Sequence, residues 1–367
     1  MPAGLAGQRA RAELSDRMIP TRFVRSSLAW CALLGACAHA APGPGAARAP
    51  VVVFEGMCDA SGAIALSERL LVVADDEDNV LRTYDVERGG APLATTDLSP
   101  MLGMPLRVEK RQARELDLEA ATRIGGRAWW LGSHGRNARG RLRPERLRFF
   151  ATNVTEEGVR PVGAPYERLL DDLLAEPALA QLQLDAAAEL PPKAPGGLNI
   201  EGLTATPSGE MLIGFRNPVP GGRALLVPLR NAAELAEGTE GVRARFGPPI
   251  LLDLGGDGIR ALSWWRGRYL IVAGPYASGG RSRLYAWDGA GAPRLLPIDL
   301  GGFNPEGFFT PEERDEILLL SDDGEREIDG VPCKELEDPA RRRFRGLWIR
   351  LPEERVQAAT RPAATHL

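Results

Sequence analysis

The stretch LNIEGLTATPSGEMLIGFRNP (Leu198–Pro218) contains two apolar segments of strand length, separated by the turn sequence TPSGE, with a glutamate near the start of the first segment. Short apolar runs bounded by glycine and proline are typical of β-strands. Similar carboxylate motifs occur in LDLEAA (Leu116–Ala121) and FNPEGF (Phe303–Phe308). A motif that returns along the chain with its own pair of strands predicts a repeat architecture.

The repeat divides the chain into about five similar units. Most units continue with a third apolar segment, such as RALLVPL (Arg223–Leu229), and another that ends in glycine, such as PILLDLGG (Pro249–Gly256). Four-stranded antiparallel sheets arranged radially form a β-propeller. We therefore predict an all-β domain over residues 51–352, a propeller of about five four-stranded blades. The segment PVVVFEG (Pro50–Gly56) supplies a strand that the last unit lacks, so the ring is expected to close through an N-terminal strand.

Two segments depart from the strand pattern. YERLLDDLLAEPALAQLQLDAAAEL (Tyr166–Leu190) has leucines at helical spacing, which predicts a short helical insertion at about 166–190. Residues 353–367 are expected to form a disordered tail.

Composition narrows the possible functions. The formal net charge is −4 and no basic run is interleaved with aromatic residues, so we expect no nucleic-acid partner. Of three histidines only His134 lies inside the predicted domain, which excludes a metal site built from several histidines there. The sequence has no G-x-S-x-G, P-loop or C-x-x-C motif.

The first residues are typical of an export signal. TRFVRSSLAWCALLGACAHAA (Thr21–Ala41) combines basic residues, an apolar run too short to span a membrane, and small residues. LGAC, ending at Cys37, resembles a lipobox and predicts a leader over 1–37 with lipidation of Cys37. AHA (Ala38–Ala40) suits ordinary signal peptidase instead.

The chain is thus expected in the bacterial cell envelope, in one of two forms. It is an outer-membrane lipoprotein that touches the membrane only through its N-terminal anchor, or a soluble periplasmic or secreted protein. Translation starts at Met1 or Met18, and residues 38–50 are expected to be a flexible tether. Cys58 and Cys333 are the cysteines that remain in the domain; in an oxidising compartment they predict a disulfide, the alternative being two unpaired buried thiols.

The repeat also predicts a shared face. The start of each innermost strand and the end of the second strand open on the same side of a propeller. Two sets of polar residues should therefore meet at one channel mouth. The set at strand starts is Ser61, Glu119, Glu201, Arg260 and Glu306. The set at strand ends is Asp75, Asp76, Asp78, Ser133, His134, Arg136, Arg216, Asn217, Asp322 and Asp323.

Three hypotheses account for so many charges at one mouth. Arginines balance the glutamates in an ion-pair network, or carboxylates bind Ca²⁺, or carboxylates and a histidine position water for hydrolysis. The candidate metal ligands are Asp75, Asp76, Asp78, Asp322, Asp323 and the glutamates. The candidate catalytic residues are His134, Glu119, Glu201 and Glu306. The candidate ligand contacts are Ser133, Arg136, Arg216, Asn217 and Arg260.

Two tryptophan pairs stand on predicted strands, Trp129–Trp130 and Trp264–Trp265. Neighbours on a strand point to opposite sides, so each pair is expected to divide between core and surface. A carbohydrate-stacking platform is the alternative.

The motifs CDASGAIAL, VVADDEDNVLRTYD, WWLGSHGRN, PPKAPGGLNIEGL and LLLSDDG resemble, in order from about Gly56 to Leu351, the bacterial domain of unknown function 3616. This resemblance implies a propeller-like all-β domain and no assigned activity. More distantly, the repeated Glu-Gly is similar to the esterase-like phytase domain, which would favour hydrolysis without carrying over catalytic residues.

The sequence as a whole predicts an exported, lipid-anchored propeller, expected to be a monomer, that binds a small molecule or an envelope protein through a charged channel mouth. The alternatives are a Ca²⁺-assisted phosphoester or ester hydrolase and an envelope scaffold without ligand.

Overall fold

The computed structural model describes residues 50–101, 103, 115–238 and 241–352. The predicted leader with Cys37, the tether up to residue 49 and the tail 353–367 lie outside the described residues.

Five four-stranded antiparallel sheets make up the domain, and strand β1 (Val51–Glu55) belongs to the last of them. The first blade contains β2 (Ala60–Ala65), β3 (Leu70–Asp75), β4 (Val80–Asp85) and β5 (Ala94–Asp97). The second contains β6 (Leu118–Ile124), β7 (Arg127–Gly132), β8 (Phe149–Val154) and β9 (Val159–Tyr166). The third contains β10 (Asn199–Ala205), β11 (Met211–Asn217), β12 (Ala224–Leu229) and β13 (Ile250–Leu252). The fourth contains β14 (Gly258–Trp265), β15 (Arg268–Gly274), β16 (Arg283–Trp287) and β17 (Arg294–Leu295).

The last blade closes the ring. It contains β18 (Pro305–Phe309) and β19 (Glu316–Ser321), then, after the short hairpin of β20 (Glu327–Ile328) and β21 (Val331–Pro332), β22 (Arg343–Arg350). Strand β1 pairs antiparallel with β22, from Val51 opposite Leu347 to Glu55 opposite Arg343. The prediction of a five-bladed propeller closed by an N-terminal strand is confirmed.

Each blade packs against both neighbours, so its middle strands are buried on both faces. This explains why β19 reads as the unbroken apolar run ILLL instead of alternating. Five hydrophobic clusters fill the spaces between successive blades. The predicted insertion contains α1 (Leu169–Ala175) and α2 (Leu184–Ala188), joined by a 3₁₀ turn over Pro177–Leu182, and its leucines complete the cluster between the second and third blades.

Other helical pieces are short. They are α3 (Ala232–Ala236) and 3₁₀ turns at Pro144–Arg146, Pro220–Gly222, Cys333–Glu335 and Pro339–Arg341. No helix in the described ranges has the length and apolar character needed to cross a membrane.

The predicted disulfide between Cys58 and Cys333 is confirmed. Both cysteines are buried, and their Cα atoms are 5.9 Å apart across a sequence separation of 275 residues. The bond joins the segment between β1 and β2 to the turn that follows β21. It therefore ties the first blade to the last one beside the start of the first inner strand.

Candidate functional site

The inner strands β2, β6, β10, β14 and β18 contact one another in ring order around the channel. In each of them the antiparallel register shifts near the strand start, where one residue has no counterpart on the second strand. Such a β-bulge bends the strand and redirects a side chain. The shifts lie at the polar positions predicted from the repeat: Ser61, Glu119, Glu201, Arg260 and Glu306.

The glycine after the bulge has a packing role. A Cβ on Gly307 would lie 2.3 Å from the Ser61 carbonyl oxygen, and one on Gly62 would lie 2.7 Å from the Ala120 backbone. Real Cβ atoms do not approach other atoms so closely, so only glycine lets these inner strands come together. The repeated Glu-Gly is therefore explained by a bulge followed by a close approach between blades.

Two arginines neutralise two of the three glutamates. Arg216, at the end of β11, places its Nη1 2.7 Å from Glu201 Oε1 and 3.9 Å from Glu306 Oε1. Arg260 pairs with Glu306 through its Nη2, and its Nε lies 3.8 Å from Glu201 Oε2. All four side chains are buried, and burial, with repulsion from Arg216, lowers the pKa of Arg260. The ion pairs that the first hypothesis predicts are thus present, but they do not include Glu119.

Glu119 instead faces other carboxylates. It is 8% exposed and makes no hydrogen bond or ion pair within the described part of the chain. Carboxylate oxygens of Asp76, Asp117 and Glu119 lie within 4.8 Å of one another, as do those of Asp59, Asp75 and Asp76. We call these five residues the acidic cluster. One Asp76 oxygen, Oδ1, is buried without a hydrogen-bond partner.

Burial perturbs the ionisation of the whole cluster. It raises the pKa of Asp59 to about 9 and that of Asp75 to about 8, and repulsion from neighbouring carboxylates adds to both. The same two causes hold the pKa values of Asp76 and Glu119 well above their usual range. Burial raises the pKa of Asp117 to about 6, opposed by Arg146. Without a cation, the cluster therefore retains protons at neutral pH.

Asp117 joins the cluster to a third arginine. Its Oδ2 lies 2.7 Å from Arg146 Nη1, and the same arginine pairs with Glu115. Sequence reasoning missed Asp59 and Asp117 as cluster members. A signal was present, since each lies two residues before a bulge position, where the third and last blades have Asn199 and Asn304.

Those asparagines support the ion pairs directly. Asn199 Nδ2 donates to Glu201 Oε1 at 2.7 Å. Asn304 Oδ1 accepts from Arg260, and its Nδ2 donates to Asp322 Oδ2 at 3.0 Å. The amide side chains therefore orient the charged groups of the third, fourth and fifth blades.

Three of the predicted metal ligands have partners of their own. Asp78 forms a two-point pair with Arg82, at 2.7 and 3.1 Å, and Asp323 forms one with Arg345, at 2.7 and 2.6 Å. Asp322 accepts from Asn304 and from the Gly324 backbone N–H. Only Asp75 and Asp76 of the predicted aspartates lie in the acidic cluster.

The predicted catalytic histidine is engaged by the backbone. His134 Nδ1 is 2.8 Å from the Gly132 carbonyl oxygen, and burial lowers the pKa of its imidazole to about 4. Among the described residues it makes no hydrogen bond or ion pair with a cluster carboxylate. The Ser133 hydroxyl accepts from the Gly135 backbone N–H and hydrogen-bonds Asp117, so Ser133 and His134 have separate partners.

Two predicted ligand contacts are used within the fold. Arg136 donates through Nε to the Ala188 carbonyl oxygen at 2.7 Å and pairs with Glu189 at the end of the insertion. Asn217 Nδ2 donates to the carbonyl oxygens of Pro192 and Ala194 at 2.8 and 2.7 Å. These contacts fix the insertion and the following loop beside the channel.

The channel is narrow at the level of the bulges. A cavity of about 20 Å³ is lined there by Glu119, Glu201 and Glu306, together with backbone of the inner strands. One water-sized particle occupies roughly 10–15 Å³ by this measure. The space therefore fits a single water or ion, and not an organic ligand.

Comparisons with known proteins concern the fold and one family. No curated protein matches the chain. The PQQ-bound aldose sugar dehydrogenase of Streptomyces coelicolor is 14% identical, with a TM-score of 0.39 over 83% of this chain and all of the other. The glutaminyl cyclase of Myxococcus xanthus is 9% identical, with a TM-score of 0.41 over 84% of this chain and 97% of the other. At these TM-scores nothing further is inferred from either likeness.

A family model also matches part of the chain, from the second blade to the fourth. The predicted resemblance is confirmed there, since residues 163–294 match the family described as Protein of unknown function (DUF3616).

Proposed function

We propose that this protein is an exported β-propeller that binds a Ca²⁺-like cation in the acidic cluster and, through it, an anionic group of a small molecule or envelope partner. The observation that carries the proposal is Glu119, a buried carboxylate with no hydrogen bond or ion pair in the described ranges, next to Asp76 and Asp117. Burying a charge without a partner is costly, so such a group either keeps a proton or meets a cation.

The charge balance supports the same proposal. Arg216 and Arg260 are engaged by Glu201 and Glu306, and Arg146 by Asp117 and Glu115. Among the described residues, no arginine forms an ion pair with Glu119, Asp59, Asp75 or Asp76. A divalent cation would supply the missing positive charge and replace the retained protons.

The donor atoms favour a hard cation. All five members of the acidic cluster are carboxylates, the oxygen ligands that Ca²⁺ and Mg²⁺ prefer, and Ca²⁺ accepts irregular sets of six to eight oxygens. A Ca²⁺ ion bound by these carboxylates would have coordination positions left for an anionic ligand, because it accepts six to eight oxygens. We do not extend the proposal to hydrolysis, because His134, the one histidine within residues 50–352, hydrogen-bonds the Gly132 carbonyl oxygen and no carboxylate of the acidic cluster among the described residues.

Export to the cell envelope is the second part of the proposal. It is supported by the signal-like leader ending at Cys37 and by the Cys58–Cys333 disulfide, a bond typical of oxidising compartments. Extracytoplasmic compartments also supply enough Ca²⁺ for sites of modest affinity.

The test is Ca²⁺ binding to the metal-free full chain by isothermal titration calorimetry. Glu119→Gln keeps the shape of the side chain and removes its charge, so affinity should fall by roughly 10–100-fold, as for other changes around metal sites. The matched control is Glu156→Gln, an exposed glutamate between β8 and β9, which should bind as the wild type does. No heat of binding in the wild type, or equal affinity in both variants, would refute the proposed site.

A further inference from the structure

A second cavity occupies the opposite end of the channel. Its volume is about 630 Å³, and it is lined by residues near the turns that join the first and second strands of the blades. Ligand pockets typically enclose about 300–1,000 Å³. This cavity, unlike the space between the bulges, is large enough for an organic molecule.

Charge in this wall is balanced, and both of its arginines already have partners, whereas Glu68 keeps one buried oxygen, Oε2, without a hydrogen bond. Arg123 donates to the carbonyl oxygens of Ala65 and Leu66, both at 2.7 Å, and Arg266 pairs with Asp315. Glu68 Oε1 accepts from the Glu312 backbone N–H at 2.8 Å. With two arginines and two glutamates among the lining residues, the wall offers no net attraction to an ion.

The neutral part of the wall carries hydroxyls at equivalent positions. Thr122, Thr204 and Ser263 each stand three residues after the bulge of their inner strand. The first two accept from backbone N–H groups of the next blade, at 2.9 and 2.7 Å. Ser263 and Thr310 share one hydrogen bond of 3.1 Å across the fourth and fifth blades. Because one hydroxyl donates in that pair, the other keeps a proton for a ligand.

An aromatic surface completes the wall. Trp264 lines the cavity and remains partly exposed, whereas its neighbour Trp265 is 4% exposed. The predicted division between surface and core agrees with this pair but is wrong for Trp129 and Trp130, which are both buried, at 4% and 0% exposed. A partly exposed indole offers a large apolar area, and this rigid side chain loses little conformational entropy when a ligand packs on it.

We infer that this second cavity binds a neutral saccharide. A sugar ring combines an apolar face, which packs on a tryptophan, with hydroxyls that hydrogen-bond to hydroxyl and backbone groups, and it carries no charge. Trp264, the Ser263–Thr310 pair and the balanced charge of the wall fit those three properties. The site lies at the other mouth from the acidic cluster and does not depend on a cation there.

The experiment titrates the full chain with maltose and D-glucose, using ligand-observed NMR and tryptophan fluorescence. Ser263→Ala removes one hydroxyl of the pair and should weaken saccharide binding about three- to tenfold. The matched control is Ser208→Ala. It removes a hydroxyl from a similar pair, Thr206 and Ser208 at 2.8 Å, outside the cavity lining, and should leave affinity unchanged.

A second variant reads out the aromatic wall. Trp264→Phe keeps a ring beside Tyr269, so it should fold, reduce the ligand-dependent fluorescence change to what Trp265 contributes, and weaken binding in the NMR titration. Saccharide binding that is unchanged by EDTA and weakened by Ser263→Ala supports the assignment. Failure of both saccharides to bind, equal affinity in Ser263→Ala and Ser208→Ala, or preference for glucose 6-phosphate over D-glucose overturns it.

Discussion

At the scale of single residues, the side chain at the bulge of each inner strand decides the chemistry of the acidic mouth. Glu201 and Glu306 are neutralised by arginines from the third and fourth blades, but Glu119 faces aspartates of the first and second blades. The mouth is therefore divided into an ion-paired half and an acidic half. Within the described ranges, Glu119 and the three aspartates without an arginine partner, Asp59, Asp75 and Asp76, all lie in the acidic half.

The ion-paired half should matter mainly for stability. Arg260→Met removes the closer of the two arginines at buried Glu306 and leaves the 3.9 Å contact to Arg216; breaking a buried pair typically costs about 3–5 kcal/mol of unfolding free energy. Urea unfolding measures this change.

The control for Arg260→Met is Arg350→Met. Arg350 is 73% exposed where it pairs with Glu316, and such surface pairs contribute at most about 1 kcal/mol. Equal destabilisation by the two substitutions would contradict the claim that the ion-paired half stabilises the fold.

Individual site residues were only partly predictable from the sequence. The repeat alignment predicted that Glu119, Glu201, Glu306 and Arg260 share one level of the channel, because blades place equivalent positions at equivalent heights. It could not distinguish the glutamate that lacks an arginine, since that depends on which guanidinium reaches across the channel. Nor could it show that the His134 ring hydrogen-bonds the Gly132 carbonyl oxygen, because its backbone turns into the left-handed region there, with φ at 56°.

At the scale of strands and loops, the fold was readable because blade contacts are local and repeated. Each unit contributes apolar strands that pair with their sequence neighbours, so the pattern needed no long-range information. The exception is β1, whose partner β22 lies at the other end of the chain. Its assignment came from counting strands in the last unit.

The disulfide should reinforce this closure. Cys58→Ser with Cys333→Ser removes a covalent link across 275 residues, and loss of a native disulfide typically costs about 2–5 kcal/mol. Denaturant unfolding of the double variant should therefore have a clearly lower midpoint. Since Asp59 follows Cys58 directly, Ca²⁺ affinity should fall as well.

Reduced wild-type protein serves as the control for the double variant. If reduction and substitution both leave the unfolding midpoint unchanged, the bond does not stabilise the closed ring.

Loops limited what sequence reasoning could reach. The cavity at the second mouth is formed by the side chains near five separate hairpin turns, and no local pattern reports how such turns meet. The same holds for Asp117, just before β6, which pairs with Arg146 of the 3₁₀ turn between β7 and β8.

At the scale of the whole molecule, the acidic cluster links stability to pH. The pKa of Asp59 is raised to about 9 and that of Asp75 to about 8, so the folded protein holds protons that the unfolded chain has released above its ordinary carboxyl range. Below that range these groups make their full contribution to the free energy of unfolding. The contribution is lost as pH rises through their pKa values in the folded protein, at roughly 1 kcal/mol per pH unit for each carboxyl.

The histidine acts in a different pH window. Burial lowers the pKa of His134 to about 4, so its contribution is lost only as pH falls below its ordinary value of 6.5. Between neutral pH and pH ~9, the change in stability is therefore expected to come from the acidic cluster, whose carboxyl groups lose their protons there.

The most direct test is a thermal unfolding scan of the full chain in EDTA and in saturating Ca²⁺, at pH ~7 and pH ~9. In EDTA the melting temperature should be lower at pH ~9 than at pH ~7, because the carboxylates ionise beside one another. Calcium should raise it at both, and more at the higher pH, because the cation binds the deprotonated acidic cluster; at a hundred times the Kd the gain is about 2.7 kcal/mol. If the melting temperature is the same in Ca²⁺ and in EDTA at both pH values, the central claim that this mouth of the propeller is a cation site is contradicted.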